Sequence, residues 1–332
     1  MIINPAIIAL VGGSLLITAF ALYALATALR ILRHWDIRSG SEGQLALERK
    51  TYLISTIFAY LLGFELFSLF LFVFTAEHMH GLFVGAMCAA GSLGVNDYGY
   101  PTLILKTVTF MFCGVWVIVN HTDNRCSDYP LIRPKYRLLI LLTVLMGLGT
   151  FLQTGYFAGL RADVITSCCG TLFSGDTESI AAGIAGLPAG ATRIAFYLTV
   201  ILTLRVGIHV LVTGRGAGAF GLLAGMTTVV SLIALISFIA PYYYELPTHH
   251  CPFCLLQEDY NYIGYPLYLS LFTAGVTGAG TGVLGLLKGP PSLEAVIPSL
   301  QRRLCLFSMA GFAIFTLMAT WPMVFGDFVL GS

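Results

Sequence analysis

The chain has 332 residues, of which 57% are hydrophobic and only 10% are charged. A soluble domain carries about 25% charged residues, so this composition excludes a water-exposed globular fold for most of the chain. The formal net charge of +1 provides no electrostatic attraction to nucleic acid and therefore excludes that class of partner. The composition instead predicts a chain whose partner is the lipid bilayer.

Eight stretches of the sequence are apolar over the length of about 20 residues that a helix needs to cross a bilayer core. They are continuously apolar rather than alternating, which favours helices over a barrel. In chain order they are residues 7–29, 52–75, 101–120, 138–160, 193–213, 219–241, 265–287 and 304–326. We therefore predict an all-α fold, a polytopic membrane helical bundle of about eight transmembrane helices.

The basic residues predict how these helices are oriented. Of the 17 Lys and Arg residues, thirteen lie in loops on one side of the predicted spans, and only Arg161 and Arg193 lie on the other. Cytoplasmic loops carry the excess of positive residues, so the first side is cytoplasmic. We expect an integral protein of the bacterial inner (plasma) membrane with both its N- and C-termini exocytoplasmic.

Two loops on the predicted outer side share one order of residues. The loop after the second span runs from a histidine to Cys88 and then to a Gly-Tyr-Pro that ends at Pro101. The loop after the sixth span runs from histidine to Cys254 and then to a Gly-Tyr-Pro that ends at Pro266. This spacing indicates two parallel four-helix repeats, although Gly-Tyr-Pro is also a common start for a helix at the membrane interface.

The predicted repeat divides the chain into three parts. Residues 1–160 form an N-terminal four-helix membrane unit, and residues 193–332 form a C-terminal one. Between them, residues 161–192 form an exocytoplasmic loop that contains the adjacent pair Cys168 and Cys169.

Five cysteines lie in the predicted outer loops, where thiols oxidise readily. They are Cys88, Cys168, Cys169, Cys251 and Cys254. An odd number leaves at least one cysteine for a role other than a disulfide. In Cys251-Pro-Phe-Cys254 the spacing brings two sulfurs close enough for a disulfide or for one metal ion, so redox activity, metal ligation and a structural disulfide are all open.

Residues 249–266 resemble quinone-linked thiol oxidoreductases of the DsbB and vitamin K epoxide reductase type. Those families place a C-x-x-C at the outer mouth of a helix bundle, often followed within a few residues by Gln or Glu and by Arg, although no Arg follows here. Here Cys251 and Cys254 lie between the sixth and seventh spans and are followed by Gln257. The resemblance implies thiol–disulfide exchange at this pair, with a quinone in the bundle as electron acceptor.

The leading functional hypothesis is a membrane thiol–disulfide redox or electron-transfer protein. Cys251 and Cys254 would form the catalytic pair, and His249 or His250 would favour the thiolate that attacks through a mixed disulfide. Cys168 and Cys169 would be further catalytic residues that exchange electrons with an exocytoplasmic thioredoxin-like partner.

Two alternatives belong to other classes of function. A membrane protein that binds or transports copper, zinc or mercury would use the outer imidazoles and thiols, with a metal-carrying partner. Its candidate metal ligands are His78, His80, Cys88, His249 and His250. The other alternative is a non-catalytic permease or anchor subunit of a membrane complex, in which the cysteines are structural.

Ionisable residues inside the predicted spans are costly and usually face a partner or a cavity. Glu65 lies near the middle of the second span and Arg205 at similar depth in the fifth, while Lys106 lies in the third. We predict a Glu65–Arg205 pair, either as a structural clasp or as part of a proton or quinone-binding path. Such a pair predicts non-additive effects of Glu65→Ala and Arg205→Ala.

The seventh span, residues 265–287, is rich in glycine. Gly278 and Gly282 are spaced so that a neighbouring helix can approach closely. We therefore expect this helix to pack tightly, either within the bundle or against a membrane subunit partner.

Overall fold

The computed structural model describes residues 4–161, 163–166, 180–287 and 291–330. Eight helices within these residues are long and apolar enough to cross a membrane. The described part contains no strand beyond an isolated bridge between Val84 and Ile165. The predicted all-α polytopic bundle is therefore confirmed, and the protein is an integral membrane protein.

The eight spanning helices, numbered in chain order, are α1 Pro5–His34, α2 Glu42–His78, α3 Gly99–Asp123, α4 Ile132–Ala158, α5 Ala189–Thr213, α6 Ala217–Tyr244, α7 Gly264–Leu286 and α8 Ile297–Phe325. The shorter helices among the described residues are His80–Leu82, Ala89–Leu93, Ile180–Ala185, Cys254–Leu256, Glu258–Tyr260 and Pro291–Glu294. Four of these short helices lie in the two loops that follow α2 and α6. Those are the loops whose shared order of residues the sequence singled out.

Helix α2 begins ten residues before its predicted start at residue 52, at Glu42. Its first turns bury Gln44 and Thr51 and expose Arg49 and Lys50. A search for continuous apolar residues stops at such charges, whereas a helix continues through them when one face is buried.

Two compact units make up the chain. The first comprises Met1–Thr75, Asn96–Leu160 and Leu287–Leu300, and the second comprises Ala76–Val95, Arg161–Leu286 and Gln301–Ser332. In the first unit α4 packs against α1 and α3, and in the second α6 packs against α5 and α7. The second unit thus includes the loop that follows α2, and the duplication of two four-helix halves stays a prediction.

Large side chains fill the interior of the first unit. The Trp116 ring meets the Phe58 ring edge to face, with centroids 5.1 Å apart. Its indole N–H donates to the carbonyl oxygen of Lys135 at 3.1 Å. A buried Trp needs such an acceptor, and here it links α3 to α4.

Two ion pairs are buried in the first unit. The Lys106 Nζ lies 3.4 Å from Glu65 Oε1 and donates to Ser68 Oγ at 2.9 Å. The Lys135 Nζ lies 2.5 Å from Asp123 Oδ2, and both of these side chains are fully buried. Asp123 Oδ1 also accepts the backbone N–H of Leu131 at 2.8 Å, so this carboxylate closes the turn between α3 and α4.

The predicted Glu65–Arg205 pair is wrong, because Lys106 is the partner of Glu65. Arg205 is exposed on α5. The position of a charge along a span gives its depth in the membrane but not the direction in which its side chain points. Depth alone therefore selected the wrong one of two candidate cations.

The glycine-rich face of α7 packs against α6 within the second unit. A Cβ added to Gly221 of α6 would lie 2.6 Å from the Cα of Gly282, and one added to Gly285 would lie 2.9 Å from the Cβ of Ala217. On the other side, Ser308 of α8 donates to the carbonyl of Ala274 at 2.8 Å. The expected tight packing of α7 within the bundle is present, against α6 and α8 of the same chain.

Helix α6 is not a continuous α-helix. Residues Leu235–Ile239 form a π-helical turn before the last segment, Ala240–Tyr244. A π turn shifts backbone hydrogen bonding by one residue and can leave a carbonyl for another donor. Here the carbonyl of Ile236 accepts a hydrogen bond from His250 Nδ1 at 2.9 Å.

Candidate metal centre

Three cysteine sulfurs converge in the loops of the second unit, and we call Cys88, Cys251 and Cys254 the thiol cluster. Cys88 directly precedes the short helix Ala89–Leu93, and Cys254 begins the short helix Cys254–Leu256. The three sulfurs all lie within 4.8 Å of one another, and all three residues are buried. The Cys88 and Cys251 sulfurs are 3.5 Å apart.

Glu77 connects the two loops that carry the cluster. One carboxylate oxygen accepts the backbone N–H of Ala89, the residue after Cys88, at 2.6 Å. The other accepts the side-chain amide of Gln257 at 2.8 Å. Gln257 also donates to the carbonyl of Met87 at 2.8 Å, so the residues on both sides of Cys88 are held.

Two tyrosines fix the Cys251-Pro-Phe-Cys254 turn. The Tyr244 hydroxyl, at the end of α6, donates to the carbonyl of Cys251 at 2.6 Å. The Tyr268 hydroxyl, in the second turn of α7, donates to the carbonyl of Pro252 at 2.8 Å. These bonds orient the backbone of the turn from two neighbouring helices, which limits how far the two sulfurs can move apart.

The loop before Cys88 is held by a close backbone approach. Thr166 donates its N–H to the carbonyl of Val84 at 2.9 Å. Gly85 follows with a φ of +86° and would carry a Cβ directly against the carbonyl of Thr166. Glycine is therefore required here both for its conformation and for space.

The predicted catalytic residues Cys168 and Cys169 lie outside the described residues.

The histidines expected as metal ligands have different surroundings. His249 Nε2 lies 3.3 Å from the sulfur of Cys254, and burial lowers the pKa of this imidazole. His250 bonds to Ile236, and His80 Nδ1 lies 3.6 Å from a carboxylate oxygen of Glu77. His78 is the exposed last residue of α2.

The structure thus brings together one predicted metal ligand, Cys88, and two predicted catalytic residues, Cys251 and Cys254. Among the described residues, only these three have ligand atoms that are all mutually within 4.8 Å. His249 lies at the edge of the cluster, against Cys254. Sequence reasoning missed Glu77 and Tyr244 as the residues that hold it; a carboxylate at the end of an apolar span was the available signal for Glu77.

The spacing of the sulfurs suits a shared metal ion. Thiolates bound to one tetrahedral zinc at 2.3 Å are about 3.8 Å from one another. The distance of 3.5 Å between Cys88 and Cys251 is close to that value and well above the S–S bond length of about 2.05 Å. The same three atoms are also near enough for thiol–disulfide exchange after small movements.

Comparisons with known proteins were made for the whole chain. No family model matches it, and no curated protein or solved structure does so either.

Proposed function

We propose that the protein handles a thiophilic metal ion, copper(I) or zinc, which it binds through Cys88, Cys251 and Cys254. The observation that supports this most directly is the convergence of three buried sulfurs within 4.8 Å. Two of them come from one loop and the third from a loop more than 160 residues away in sequence. Glu77, Gln257 and Tyr244 hold these loops in place.

The ligand set favours soft ions. Thiolates select copper(I) and zinc, and mercury shares this preference, whereas calcium and magnesium need oxygen ligands. Three protein ligands leave a coordination position open, as in sites that exchange a ligand, while closed structural zinc sites have four. A three-sulfur site at the ends of membrane helices therefore suits an ion that is passed to or from a metal-carrying partner.

The placement of this site on the exocytoplasmic side of a bacterial inner membrane belongs to the same proposal. It is supported by the excess of Lys and Arg in the loops at the opposite ends of the helices. A membrane-impermeant thiol reagent applied to intact cells should label an exposed position introduced beside the cluster, such as Met87→Cys. Labelling only after the cells are opened would show that the cluster lies on the cytoplasmic side.

The metal proposal is tested on the full-length protein purified in detergent. Titration with copper(I) or zinc should give about one ion per chain and a thiolate-to-metal absorption band. Cys88→Ser and Cys254→Ser should each lower the metal affinity at least tenfold, because each removes one of three ligands. Cys113→Ser and Cys305→Ser are matched controls, since both remove a buried cysteine from a spanning helix.

The controls should keep the wild-type stoichiometry and affinity. A wild-type protein that binds neither metal, or a Cys88→Ser variant that binds as tightly as wild type, would contradict the proposal. Thermal unfolding of each variant in the same detergent separates the loss of a ligand from the loss of the fold.

A second candidate function is thiol–disulfide exchange, which is favoured by the 3.5 Å distance between the Cys88 and Cys251 sulfurs. Oxidation of Cys251 and Cys254 to a disulfide would release two electrons and two protons, which reduce a quinone to a quinol. The Cys88 thiolate would then attack the Cys251 sulfur, form a bond with it and release Cys254 as a thiolate. A reduced thioredoxin-like partner would then reduce the Cys88–Cys251 disulfide from the outer side: its dithiol supplies two electrons and two protons, becomes a disulfide and restores the two thiols.

Thiol trapping in intact cells separates the two candidates. Redox cycling predicts that Cys251 and Cys254 change between thiol and disulfide with growth conditions. It also predicts that Cys88→Ser removes the fraction of the protein that carries a Cys88–Cys251 disulfide. Cysteines that stay fully reduced under every condition would exclude a redox cycle and remain compatible with metal binding. Cysteines that stay fully oxidised would exclude both functions, because a disulfide provides no thiolate ligand.

A further inference from the structure

The exposed face of α5 carries a charge in its middle. Large apolar side chains recur along this face at helical spacing, and they are Ile194, Leu198, Ile201, Leu202, Ile208 and Val212. Arg205 lies within the same stripe and is exposed, as is His209 one turn later. Apart from these two residues, the stripe is the apolar surface that a membrane-spanning helix presents to lipid.

The depth of Arg205 makes contact with lipid unfavourable. It lies eight residues before Thr213, the last residue of α5, or about 12 Å along the helix axis. Side chains lean towards the N-terminus of a helix, so the guanidinium leans away from this nearer end and deeper into the membrane. A charged group in this position is rare in proteins unless it faces a partner or a water-filled cavity.

Three other cations in the spanning helices have partners inside the chain. Lys106 and Lys135 are paired with carboxylates. At the other end of α5, Arg193 donates to the Tyr242 hydroxyl at 2.9 Å and lies over the ring of Phe238. Arg205 makes no ion pair, hydrogen bond or ring contact with any residue in the described part of the chain.

We propose that this face of α5 binds a helix of a different membrane protein, which places a carboxylate opposite Arg205. An Arg–carboxylate pair would satisfy the guanidinium in a medium without water. His209, one turn along the stripe, supplies a second polar contact, and the apolar residues around both supply the packing surface.

A second copy of this chain does not provide the required group. A twofold interface at this stripe would bring Arg205 against its own copy. The carboxylates in the spanning helices are Glu42, Glu48, Glu65, Glu77 and Asp123. The last three are buried and bonded within the chain, and the first two lie in the opening turns of α2, far from mid-membrane depth.

A phospholipid headgroup is also a poor fit. The guanidinium would have to bend towards the nearer membrane surface against the direction in which the side chain leaves the helix. A carboxylate on a neighbouring helix meets it at its own depth, without distortion of the bilayer.

The interface is tested by a photo-crosslinking amino acid at Leu202 of the full-length protein in its native membrane. An equally exposed apolar position on another helix, Leu141 of α4, is the matched control. We expect an adduct from Leu202 alone, whose crosslinked peptide belongs to a transmembrane segment that contains Asp or Glu. Arg205→Leu should lower its yield more than about tenfold, whereas Arg205→Lys should retain most of it.

Charge exchange completes the test. Arg205→Glu combined with replacement of the partner's carboxylate by Arg should restore the adduct. An adduct with a second copy of the chain, an adduct with phospholipid, the absence of any adduct, or a yield unaffected by Arg205→Leu would each overturn the proposal.

A second measurement needs no partner. In the purified protein in lipid nanodiscs, Arg205→Leu should raise the midpoint of thermal unfolding, because it removes an unpaired charge from the lipid-facing surface. Arg215→Leu, in the exposed loop after α5, should leave the midpoint unchanged. A lowered or unchanged midpoint in Arg205→Leu would show that the guanidinium is already satisfied, within the chain or by lipid, and would overturn the proposal.

Discussion

The two compact units bury polar groups in different ways. In the first unit, Lys135 and Asp123 lie on adjacent helices and neutralise each other at 2.5 Å. In the second unit, three sulfurs converge from loops between helices, and Glu77 holds the backbone around them rather than the sulfurs themselves. The first arrangement is complete without a ligand and stabilises the fold. The second gathers soft ligand atoms at one point, which favours binding of an ion.

The largest effect is expected where the first arrangement is broken. Asp123→Asn should destabilise the protein by about 3–5 kcal/mol, because it leaves the Lys135 ammonium buried without a counter-charge. Chemical denaturation in detergent micelles measures this loss. Metal binding by the protein that remains folded should be unchanged, since the thiol cluster belongs to the other unit.

The double variant Asp123→Asn/Lys135→Met provides the control. It removes both charges and should regain much of the lost stability. A double variant as unstable as Asp123→Asn alone would mean that the carboxylate acts through the Leu131 N–H rather than through the ion pair.

The next largest effect on stability is expected at the buried ion pair between Glu65 and Lys106. Glu65→Gln should cost about 1.5–3 kcal/mol, because Lys106 keeps Ser68 as an acceptor but loses its counter-charge. The effects of Glu65→Gln and Lys106→Met should be strongly non-additive, whereas those of Glu65→Gln and Arg205→Leu should add. Additive effects of the first two substitutions would exclude a functional ion pair at this position.

A smaller effect is expected at Glu77, whose carboxylate connects the two loops of the thiol cluster. Glu77→Gln should weaken metal binding about tenfold, because residues that position metal ligands typically contribute a factor of 10–100. At saturating metal the stoichiometry should remain that of the wild type. Glu48→Gln, a carboxylate of the same helix outside the site, should have no effect on affinity.

The smallest effect is expected for a cysteine that has no cluster around it. Cys113 is fully buried in α3, and Cys113→Ala should cost about 1 kcal/mol, as the loss of a small apolar group does. It should not change metal affinity at all. A fall in affinity comparable to that of Cys88→Ser would remove the distinction between the two units.

The spanning helices could be predicted from the sequence because a bilayer imposes a minimum apolar length on each one. The helix ends could not, since Glu42 begins an amphipathic extension whose charges lie outside the apolar run. The partner of Glu65 was missed for a related reason. Apolar spans are nearly uniform around their circumference, so their periodicity gives little information on which side faces a neighbour.

The thiol cluster was predictable in part. The spacing of Cys251 and Cys254 marked one half of it, and the similar order of residues around Cys88 marked the other. That these sulfurs meet depends on tertiary contacts, such as that between Glu77 and Gln257, which no local pattern encodes. The histidines illustrate the limit, because adjacent residues such as His249 and His250 point to different partners.

The π-helical turn at Leu235–Ile239 has a consequence for how this chain tolerates changes in length. Deleting one residue there would restore α-helical hydrogen bonding and rotate everything after it by about 100°. Tyr244 would then point away from the carbonyl of Cys251, while the hydrophobic length of α6 would hardly change. A single-codon deletion in α6 should therefore leave insertion into the bilayer intact and abolish the geometry of the thiol cluster.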